Sequence, residues 1–472
     1  MTEDAPIIWW VRRDLRMSDN EALSAAANNG APVIPVFIRD AVVDATGAAA
    51  KWRWGESLGA LDAALRKKGS QLILRTGDPL AVLRDLVQTT GARAVHWSRA
   101  YDPDSIARDK VVKAGLKGAQ VGAESFPGHV LFEPWTVQTK AGGHFKVYTP
   151  MWRAVSGRDV PDALPVPHIL AAPATWPPSE TLTDWKLGAG MDRGAAIVAR
   201  YACVGEHEAR LKLDRFLRTG VAGYRTDRDF PALEATSRLS ENLALGEISP
   251  RQVWHAGRRA AADGAAGAEH FVKEVVWREF AYHLLYHEPT LATENHRKEW
   301  DNFAWRGESD DADAWRRGLT GCEMVDAAMR ELYVTGTMHN RLRMLAGSYL
   351  TKHLLTDWRI GRAWFEDCLI DWDPASNAMG WQWIAGCGPD AAPYFRIFNP
   401  DTQADKFDGN RDYRDLFLKG GNDRLGGQPA QDFFDAVPLS WGLTPDDPRP
   451  APRVDLRAGR ERALAAYADL KN

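Results

Sequence analysis

The chain has 472 residues, of which 45% are hydrophobic and 26% are charged, and its formal net charge is −4. This length exceeds that of one typical domain, and the composition is that of a globular protein with a large core. No apolar run is long enough to cross a bilayer and no basic region opens a signal peptide, so we expect a cytoplasmic protein without a membrane segment.

The cysteine, charge and tryptophan counts bear on metal binding, nucleic-acid binding and redox roles. The cysteines Cys203, Cys322, Cys368 and Cys387 lie far apart and form no metal-ligand spacing, so we predict mostly buried thiols and no metal site. The acidic total does not indicate nucleic acid, although a local arginine cluster is enough for phosphate contacts. The 20 tryptophans exceed what a core of this size needs, which indicates either generous packing or redox and base-stacking roles.

The first 130 residues alternate short β-rich runs with helical patterns. This alternation predicts an α/β domain with a doubly wound, Rossmann-like parallel sheet over residues 1–130. A standard dinucleotide site is not indicated, because no GxGxxG follows the first strand. The predicted strands are 7–11, 33–38, 71–75, 94–98 and 120–123, the predicted helices include 52–68 and 79–89, and residues 18–21 are typical of a helix start.

Two further regions follow along the chain. Six prolines between positions 161 and 178 break regular structure, so residues 131–200 are predicted to form an interdomain linker. Residues 201–472 lack strand alternation and predict an all-helical domain. Its predicted helices include 206–217, 250–257, 268–287, 321–333, 338–355 and 361–370, and a short helix-like run closes the chain.

Two stretches of the helical region carry groups that could bind a ligand. Glu274, Trp277 and Arg278 share one helix face, and spacing alone favours an ordinary surface ion pair beside a core tryptophan over a shared cavity. The stretch 236–240 offers hydroxyls, N–H groups and an arginine for a phosphate, although helix capping is the favoured explanation when the stretch is taken alone.

Two later stretches are also polar within apolar surroundings. Residues 338–344 place Asn340 beside Met344 on a mixed face, which suits either a partly dry pocket for an anionic ligand or one solvated side of a helix. Asp371 and Asp373 lack further ligands at calcium-loop spacing. We therefore interpret them as acceptors for ribose hydroxyls or a ring N–H rather than as a metal site.

Taken together, these stretches resemble the photolyase/cryptochrome family over nearly the whole chain. Each stretch is a weak signal alone, but their order is highly specific. The resemblance rests on residues 10–16 (WVRRDLR), 236–240 (TSRLS), 277–280 (WREF), 338–344 (MHNRLRM), 371–377 (DWDPASN), 381–383 (WQW) and 395–400 (FRIFNP). It implies an α/β antenna domain and, over residues 201–472, a helical domain that holds FAD in a folded form.

The resemblance also implies roles for individual residues. FAD would be bound by Tyr224, Thr236, Ser237, Arg238, Leu239, Ser240, Arg278, Arg343, Asp371, Asp373 and Asn377. The lesion pocket would be lined by Glu274, Trp277, Arg278, Asn340, Met344, Trp383 and Gln403, with Glu274, Asn340 and Met344 acting on the lesion. DNA phosphates would be contacted by Arg228, Arg341 and Arg396. An electron relay would run through Trp381, Trp358 and Trp305, with Trp372 able to open a side branch.

The activity implied by the resemblance is light-driven repair of cyclobutane pyrimidine dimers in UV-damaged DNA. Excited, reduced, anionic FAD would give one electron to a flipped-out lesion, and the electron would return after the dimer opens, so the enzyme would be a carbon–carbon lyase. Trp277 and Trp383 would stack on the flipped bases for about 1–3 kcal/mol each. Glu274 would hydrogen-bond the base carbonyl where negative charge develops.

The chain departs from the family pattern at several positions. Thr337 and Phe271 stand where relatives often carry tryptophan. Folate-binding relatives use Asn-Glu and Cys-Lys pairs where this chain has PD at 103–104 and AT at 292–293. We therefore expect a second chromophore, methenyltetrahydrofolate, held in a different way as in class III dimer photolyases, with a deazaflavin or an empty site as alternatives.

Three rival functions were weighed against dimer repair. A cryptochrome-type blue-light receptor of the plant kind carries Asp opposite flavin N5, where this chain has Asn377. A (6-4) photolyase needs a histidine pair, and Met344 occupies one of the matching positions. An ordinary flavin oxidoreductase needs a nicotinamide site, which the sequence does not indicate. We expect a monomer that binds UV-damaged DNA and has no obligate protein partner.

Overall fold

A computed structural model describes residues 5–28, 30–391, 393–419 and 428–471. Its N-terminal part contains a parallel five-stranded sheet with the strand order β3-β2-β1-β4-β5, which confirms the predicted doubly wound fold. The strands are β1 (Ile7–Val11), β2 (Val33–Arg39), β3 (Ile73–Thr76), β4 (Ala94–Ser98) and β5 (Gly122–Phe126).

The third and fifth strands begin two residues later than predicted. Leu72 donates its backbone N–H to Asp62 rather than to a neighbouring strand. Gln120 has a left-handed φ of 60° and ends the preceding helix, and the next residue, Val121, still donates to Leu116. Local turns that β-propensity does not record therefore set where these two strands start.

Helices cover both faces of this sheet. They are α1 (Glu21–Ala27), α2 (Ala41–Asp44), α3 (Ala48–Arg66), α4 (Pro79–Thr90) and α5 (Pro103–Gly118). The predicted helix start at 18–21 is confirmed, since Asn20 caps α1 by accepting the N–H of Leu23. Separate apolar clusters fill the space on the two sides of the strands, as expected for a doubly wound sheet.

The segment proposed as a linker, 131–200, contains the short helices α6 (Tyr148–Val155) and α7 (Gly194–Val198) and otherwise little regular structure. Its proline-rich part, 161–178, forms neither helix nor strand. Leu170 and Trp185 are buried against the apolar cluster on one face of the sheet. The segment therefore wraps over the α/β domain on its way to the helical part.

The described residues after 200 form helices and no strand. The helices are α8 (Glu206–Thr219), α9 (Tyr224–Asp227), α10 (Ser240–Ala244), α11 (Pro250–Ala262), α12 (Ala268–His287), α13 (Asp310–Arg316), α14 (Glu323–Thr335), α15 (Asn340–Ser348), α16 (Trp358–Cys368), α17 (Pro374–Ala385), α18 (Pro400–Phe407), α19 (Asp412–Leu418), α20 (Pro429–Ala436) and α21 (Leu456–Lys471). Their largest apolar cluster lies between α14, α15, α16 and α17.

The helix predicted over 338–355 is interrupted. Helix α15 ends at Ser348 and continues as a π-helical turn, Tyr349–His353, in which Leu354 donates to the carbonyl of Tyr349 five residues earlier. Leu355 then takes a left-handed φ of 56° and stops the helix. A single π-helical turn leaves little mark on the apolar periodicity of a helix, so the sequence does not predict it.

A buried arginine joins the α/β domain to the helical domain. Arg16, from the 10–16 stretch, is 0% exposed and donates to the carbonyls of Gly246, Gly128 and Asp19 at 2.8–2.9 Å. Because these carbonyls would otherwise be buried without partners, the contacts fix the two domains relative to one another.

Arg53 of α3 makes a second joint of the same kind. It is fully buried, forms ion pairs with Glu247 and Glu241, and donates to the carbonyl of Cys203 at 2.8 Å. Glu241 lies on α10, directly after the 236–240 stretch. The joint therefore also fixes the helix that follows the predicted phosphate cradle.

Gly361 on α16 tests how tightly this core is packed. An added Cβ there would overlap the ring of Trp381, so we expect Gly361→Ala to lower the free energy of unfolding by about 1–3 kcal/mol. The matched control is Gly380→Ala on α17, where an added Cβ meets nothing within 4 Å and helix propensity favours alanine. Urea denaturation compares the two variants, and equal stability would contradict the close contact.

Candidate functional site

Helix α12 carries the predicted lesion-facing residues, and its bounds match the sequence prediction. Glu274 is half-buried and forms an ion pair with Arg228, whose guanidinium lies 5.2 Å from the ring centroid of Tyr224. The sequence interpretation that paired Glu274 with Arg278 is therefore wrong. Although burial opposes it, the charge of Glu274 raises the pKa of Arg228 above its ordinary value.

Trp277 is held by a residue that sequence reasoning missed. Tyr148, the first residue of α6, stacks face to face on it with ring centroids 3.7 Å apart and planes 5° from parallel. The Tyr148 hydroxyl donates to the carbonyl of Lys273, and its backbone N–H donates to Asp390. One face of Trp277 is thus covered. The only sequence signal for this contact is an aromatic residue in the proposed linker.

Arg278 contacts the end of the α/β domain rather than Glu274. Its guanidinium donates to the carbonyl and Nε2 of His129 at 2.7 and 2.9 Å and lies 4.8 Å from the ring centroid of Tyr282. Burial, together with the charge of Arg278, lowers the pKa of His129 well below its ordinary value. In this structure Arg278 therefore braces α12, and its predicted contact with FAD stays a prediction.

Arg343 and Asp371 come together as an ion pair at 2.6 Å. Arg343 also donates from Nε to the carbonyl of Met338 at 2.8 Å. The other carboxylate oxygen of Asp371 is buried without a protein partner. Because a buried, unpaired acceptor is costly, this atom indicates a ligand that donates a hydrogen bond, which fits the donors of FAD.

Asp373 and Asn377 lie one turn apart at the start of α17. Asp373 caps the helix by accepting the N–H of Ser376 at 2.8 Å, and its second oxygen accepts the hydroxyl of Tyr282 from α12. Asn377 donates to the carbonyl of Arg362 at 3.2 Å, which leaves its amide oxygen free. This segment therefore presents fixed polar groups and is attached directly to α12.

The 236–240 stretch leads into α10, whose first residue is Ser240, and does not cap it. The position before α10 is occupied by Leu239, which makes no side-chain capping bond, so the capping interpretation is wrong. Within the part of the chain described, the hydroxyls of Thr236, Ser237 and Ser240 make no hydrogen bond to protein. Arg238 adopts a left-handed φ of 50°. Free hydroxyls beside an arginine suit an anionic ligand such as a dinucleotide phosphate.

A cavity of about 230 Å³ adjoins this stretch. It is lined by Arg238 together with Glu331 and Tyr413, and Tyr413 donates its hydroxyl to Glu331 at 2.6 Å. Burial raises the pKa of Glu331 above its ordinary value. These two residues, from α14 and α19, were not singled out from the sequence, since no local spacing connects them to 236–240.

The predicted relay tryptophans are adjacent in the fold. Trp381 lies four residues after Asn377 on α17, and its ring packs on Gly361 of α16, three residues after Trp358. Both rings are buried, at 3% and 0% exposure. Trp305 is half-buried, and the backbone of the next residue pairs with residues 355–357 immediately before Trp358. Trp305 is thus the most exposed of the three tryptophans, and the relay itself stays a prediction.

The predicted DNA-facing and lesion-facing residues differ in how far they are exposed. Asn340 and Arg396 are exposed, whereas Met344 and Trp383 are half-buried against the helical core. The side-chain carbonyl of Gln403 is buried without a protein partner.

Two of the three arginines predicted to contact DNA phosphates form ion pairs within the protein. Arg341 pairs with Asp229 at 2.6 Å and lies 4.5 Å from the ring centroid of Phe407, and Arg228 pairs with Glu274 as described above. Only Arg396 is exposed, so the three arginines are not equivalent.

The remaining predictions concern a metal site, a membrane helix, the four cysteines and Trp372. Among the described residues, no group of three or more His, Cys, Asp or Glu side chains is arranged to hold a metal ion. In the same residues no helix has the length and apolarity to cross a membrane. All four cysteines are free thiols, with Cys387 buried and Cys203, Cys322 and Cys368 half-buried. Trp372 lies 5.0 Å from the guanidinium of Arg13.

Comparison with known families covers both domains. Residues 7–168 match the family described as DNA photolyase, and residues 271–469 match the FAD binding domain of DNA photolyase. The fold and the site therefore define a flavin-dependent protein of the photolyase type. The chain belongs to the DNA photolyase family.

Individual relatives agree with this assignment. The deoxyribodipyrimidine photo-lyase of Agrobacterium fabrum is 48% identical over 99% of this chain and 98% of its own length. A class III photolyase from Agrobacterium tumefaciens superposes with a TM-score of 0.90 at 46% identity, covering 100% of this chain and 98% of that one. An archaeal photolyase from Sulfolobus tokodaii with two FAD molecules gives 0.78 at 28% identity, covering 98% and 100%.

Glu279, on the far side of α12, yields a prediction for pH. It is 2% exposed, and burial raises its pKa to about 7. A raised pKa means that its contribution to stability is full at low pH and is lost as the pH rises through about 7. We compare the unfolding free energy of Glu279→Gln with that of the wild type. We expect this difference to shift in favour of the variant by about 1–3 kcal/mol when the pH rises from 5 to 8.

Urea denaturation of both proteins at the two pH values measures this difference. The amide of the Glu279→Gln variant would keep an acceptor for the N–H groups of Leu131 and Phe132, which Glu279 now accepts at 2.6 and 3.1 Å. A difference that does not change with pH would show that Glu279 does not titrate differently in the folded and unfolded protein over this range.

Proposed function

We infer that this chain repairs cyclobutane pyrimidine dimers in UV-damaged DNA, as a light-driven deoxyribodipyrimidine photo-lyase. The observation that carries this function is a lesion-facing helix, α12, joined through Tyr282 and Asp373 to the segment that fits FAD. Bound in its reduced, anionic form, FAD supplies the photoexcited electron that opens the dimer and takes it back afterwards. The chain's own residues hold the lesion, exclude water and keep these parts in place.

Trp277 offers a rigid surface for a flipped base. Tyr148 already covers one of its faces, so the opposite face is the one left for stacking. Because the indole is fixed before the lesion arrives, little side-chain entropy is lost on binding. A dimer stacks poorly in the duplex, which lowers the cost of flipping and favours damaged over intact sites. Trp383 is proposed as the second stacking residue.

Glu274 and Arg228 act as a pair in this proposal. The carboxylate accepts the imide N–H of a pyrimidine, and the guanidinium places positive charge beside the carbonyl oxygen where negative charge develops. A glutamate that is ion-paired with an arginine accepts hydrogen bonds rather than donating them. The sequence interpretation gave Glu274 the hydrogen bond to the base carbonyl. This hydrogen bond is therefore assigned here to Arg228. Asn340 and Met344 are proposed to complete the pocket.

The groups proposed to hold FAD divide by chemistry. Arg343, Asp371 and Asp373 bind its ring system and ribose, Asn377 faces the flavin, and the hydroxyls of 236–240 with Tyr224 bind the phosphates and the ribityl chain. The unpartnered oxygen of Asp371 and the free hydroxyls support this assignment.

The DNA-facing surface is proposed to use the exposed Arg396 first. Its guanidinium is free to contact a phosphate, whereas Arg341 keeps its place through Asp229 and Phe407. Gln403 is proposed to use its unpartnered carbonyl at the pocket edge. A monomer without an obligate protein partner remains our prediction.

A second chromophore is proposed to be methenyltetrahydrofolate, with a deazaflavin as the alternative. The carboxyl edge of the sheet is closed, since the guanidinium groups of Arg12 and Arg108 lie 4.8 and 5.1 Å from the ring centroid of Trp10 and the cavity there is about 40 Å³. A flat ring system at that edge would have to displace these side chains. This favours a folate bound elsewhere, and mass analysis of chromophore released from purified protein tests it.

The direct test of function is repair of dimer-containing oligothymidine by purified, fully reduced protein under near-UV and blue light. Recovery of thymine absorbance supports dimer repair. Flavin absorption with no recovery would instead make the protein a cryptochrome-type receptor, and the lesion roles of Glu274 and Met344 would fall.

The pocket proposal predicts the effect of Glu274→Ala. We expect FAD content and lesion binding to persist and the repair yield per absorbed photon to fall several-fold, because Arg228 loses the partner that holds it. Glu274→Gln should fall less, since its amide still accepts a hydrogen bond. The control is Glu269→Ala, an exposed glutamate on the same helix that pairs with Lys273. Unchanged yield in Glu274→Ala would reduce Glu274 to a structural partner of Arg228.

The relay proposal predicts that Trp381→Phe abolishes photoreduction of oxidised FAD and leaves repair by chemically reduced protein intact. Phenylalanine fills much of the same space but is far harder to oxidise. Flavin absorption during illumination with a thiol measures photoreduction. Trp315→Phe is the control, because the ring centroid of Trp315 lies 6.1 Å from that of Trp381 and Trp315 is outside the proposed relay. Photoreduction at the full rate in Trp381→Phe would place the start of the relay elsewhere.

A further inference from the structure

Lys352 is a charged residue in the interior that the proposed mechanism does not use. It lies in the π-helical turn Tyr349–His353 and is 0% exposed. Among the described residues it makes no ion pair. A buried amine without a carboxylate is unfavourable, so the contacts that it does make indicate why a lysine stands here.

Those contacts are with the segment 394–399, here called the 394–399 loop, which leads into α18. The Lys352 ammonium donates to the carbonyl of Arg396 at 3.2 Å and lies 5.2 Å from the ring centroid of Tyr394. Tyr394 is buried, whereas Phe395 is 60% exposed and Arg396 is exposed. The lysine therefore holds the inner side of a loop whose outer side faces solvent.

Two neighbouring residues hold the same loop. His353 lies with Nε2 3.2 Å from the carbonyl of Phe398, and the Ser348 hydroxyl accepts the N–H of Phe398 at 3.3 Å. Together with Lys352 they give three polar contacts to the loop backbone from one short stretch of chain. Because backbone groups are held, the loop conformation is fixed independently of its outward side chains.

The π-helical turn directs the side chains of Lys352 and His353 toward the 394–399 loop. Each residue in an α-helix is rotated by about 100° from the one before, so the extra residue of a π turn changes the direction of every side chain after it. Leu354 donating to Tyr349 records that extra residue. A regular helix would direct Lys352 and His353 elsewhere.

We propose that Lys352 is a positioning residue for DNA binding: through the carbonyl of Arg396 it fixes the 394–399 loop so that the Arg396 guanidinium meets a DNA phosphate. This inference rests on the proposed function, in which Arg396 contacts DNA. The same loop ends at Asn399, which caps α18 by accepting the N–H groups of Asp401 and Thr402, so Gln403 is positioned as well.

Burial lowers the pKa of Lys352 to about 7. The titratable groups around it are His353 on the same turn and Tyr394 on the loop, and Arg462 of α21 donates to the carbonyl of His353. Replacing the lysine with an apolar side chain removes the cost of burying the amine. We therefore expect Lys352→Met to be at least as stable as the wild type near neutral pH, which separates the role in binding from a role in folding.

The test measures the affinity for a dimer-containing duplex at several salt concentrations. We expect Lys352→Met to keep its FAD and to raise Kd about three- to tenfold, with the slope of log Kd against log salt reduced by about one phosphate contact. Lys352 cannot itself touch DNA, so a changed slope would have to act through the loop. Lys68→Met, which removes an exposed lysine just after α3 in the α/β domain, controls for the loss of charge and should change neither quantity.

Arg396→Ala and the double variant complete the experiment. If Lys352 acts through Arg396, adding Lys352→Met to Arg396→Ala should change Kd less than twofold, whereas independent effects would multiply and overturn the inference. If Lys352→Met loses FAD, the experiment is repeated with Lys352→Gln, which keeps a neutral hydrogen-bond donor. Unchanged affinity in a folded variant overturns this inference alone. Failure of the wild type to bind the dimer would overturn the proposed function with it.

Discussion

Tyr282 joins the two helices between which the proposed chemistry takes place. Its hydroxyl donates to Asp373 at the start of α17, and the same oxygen lies 2.7 Å from Nε2 of His129. Arg278 packs over its ring. Burial, with the charge of Asp373, raises the pKa of Tyr282 far above its ordinary value, so the proton that bridges the helices stays in place. The separation between α12 and the start of α17 is thereby fixed before any ligand binds.

A rigid separation inside the helical domain would be of little use if the rest of the chain could move against it. The joints made by Arg16 and Arg53 address this, because each ends on backbone carbonyls or carboxylates of the other domain. Buried ion pairs add little net stability, since desolvation offsets their attraction, but removing one partner is costly. Such contacts therefore specify one arrangement of the domains more than they strengthen it.

The sequence predicts most of the fold because sheet and helix periodicities are local. Local periodicity alone predicts the strand pattern of the first domain and the bounds of α12. Contacts that close over long stretches of chain were missed or misassigned: Glu274 pairs with Arg228 rather than with Arg278 on its own helix, and Tyr148 reaches Trp277 from the proposed linker. Spacing along one helix identifies which residues share a face, but not which distant segment covers that face.

The tryptophans show why two interpretations of one residue need not compete. Packing and electron transfer were alternatives for Trp381 and Trp358 when only the sequence was considered, yet each ring is completely enclosed and lies on a proposed route from flavin to surface. The Trp381 ring packs so closely on Gly361 that an added Cβ there would overlap it. A donor and acceptor held in this way keep a constant separation. Close packing around these rings is therefore the physical condition for a relay rather than evidence against one.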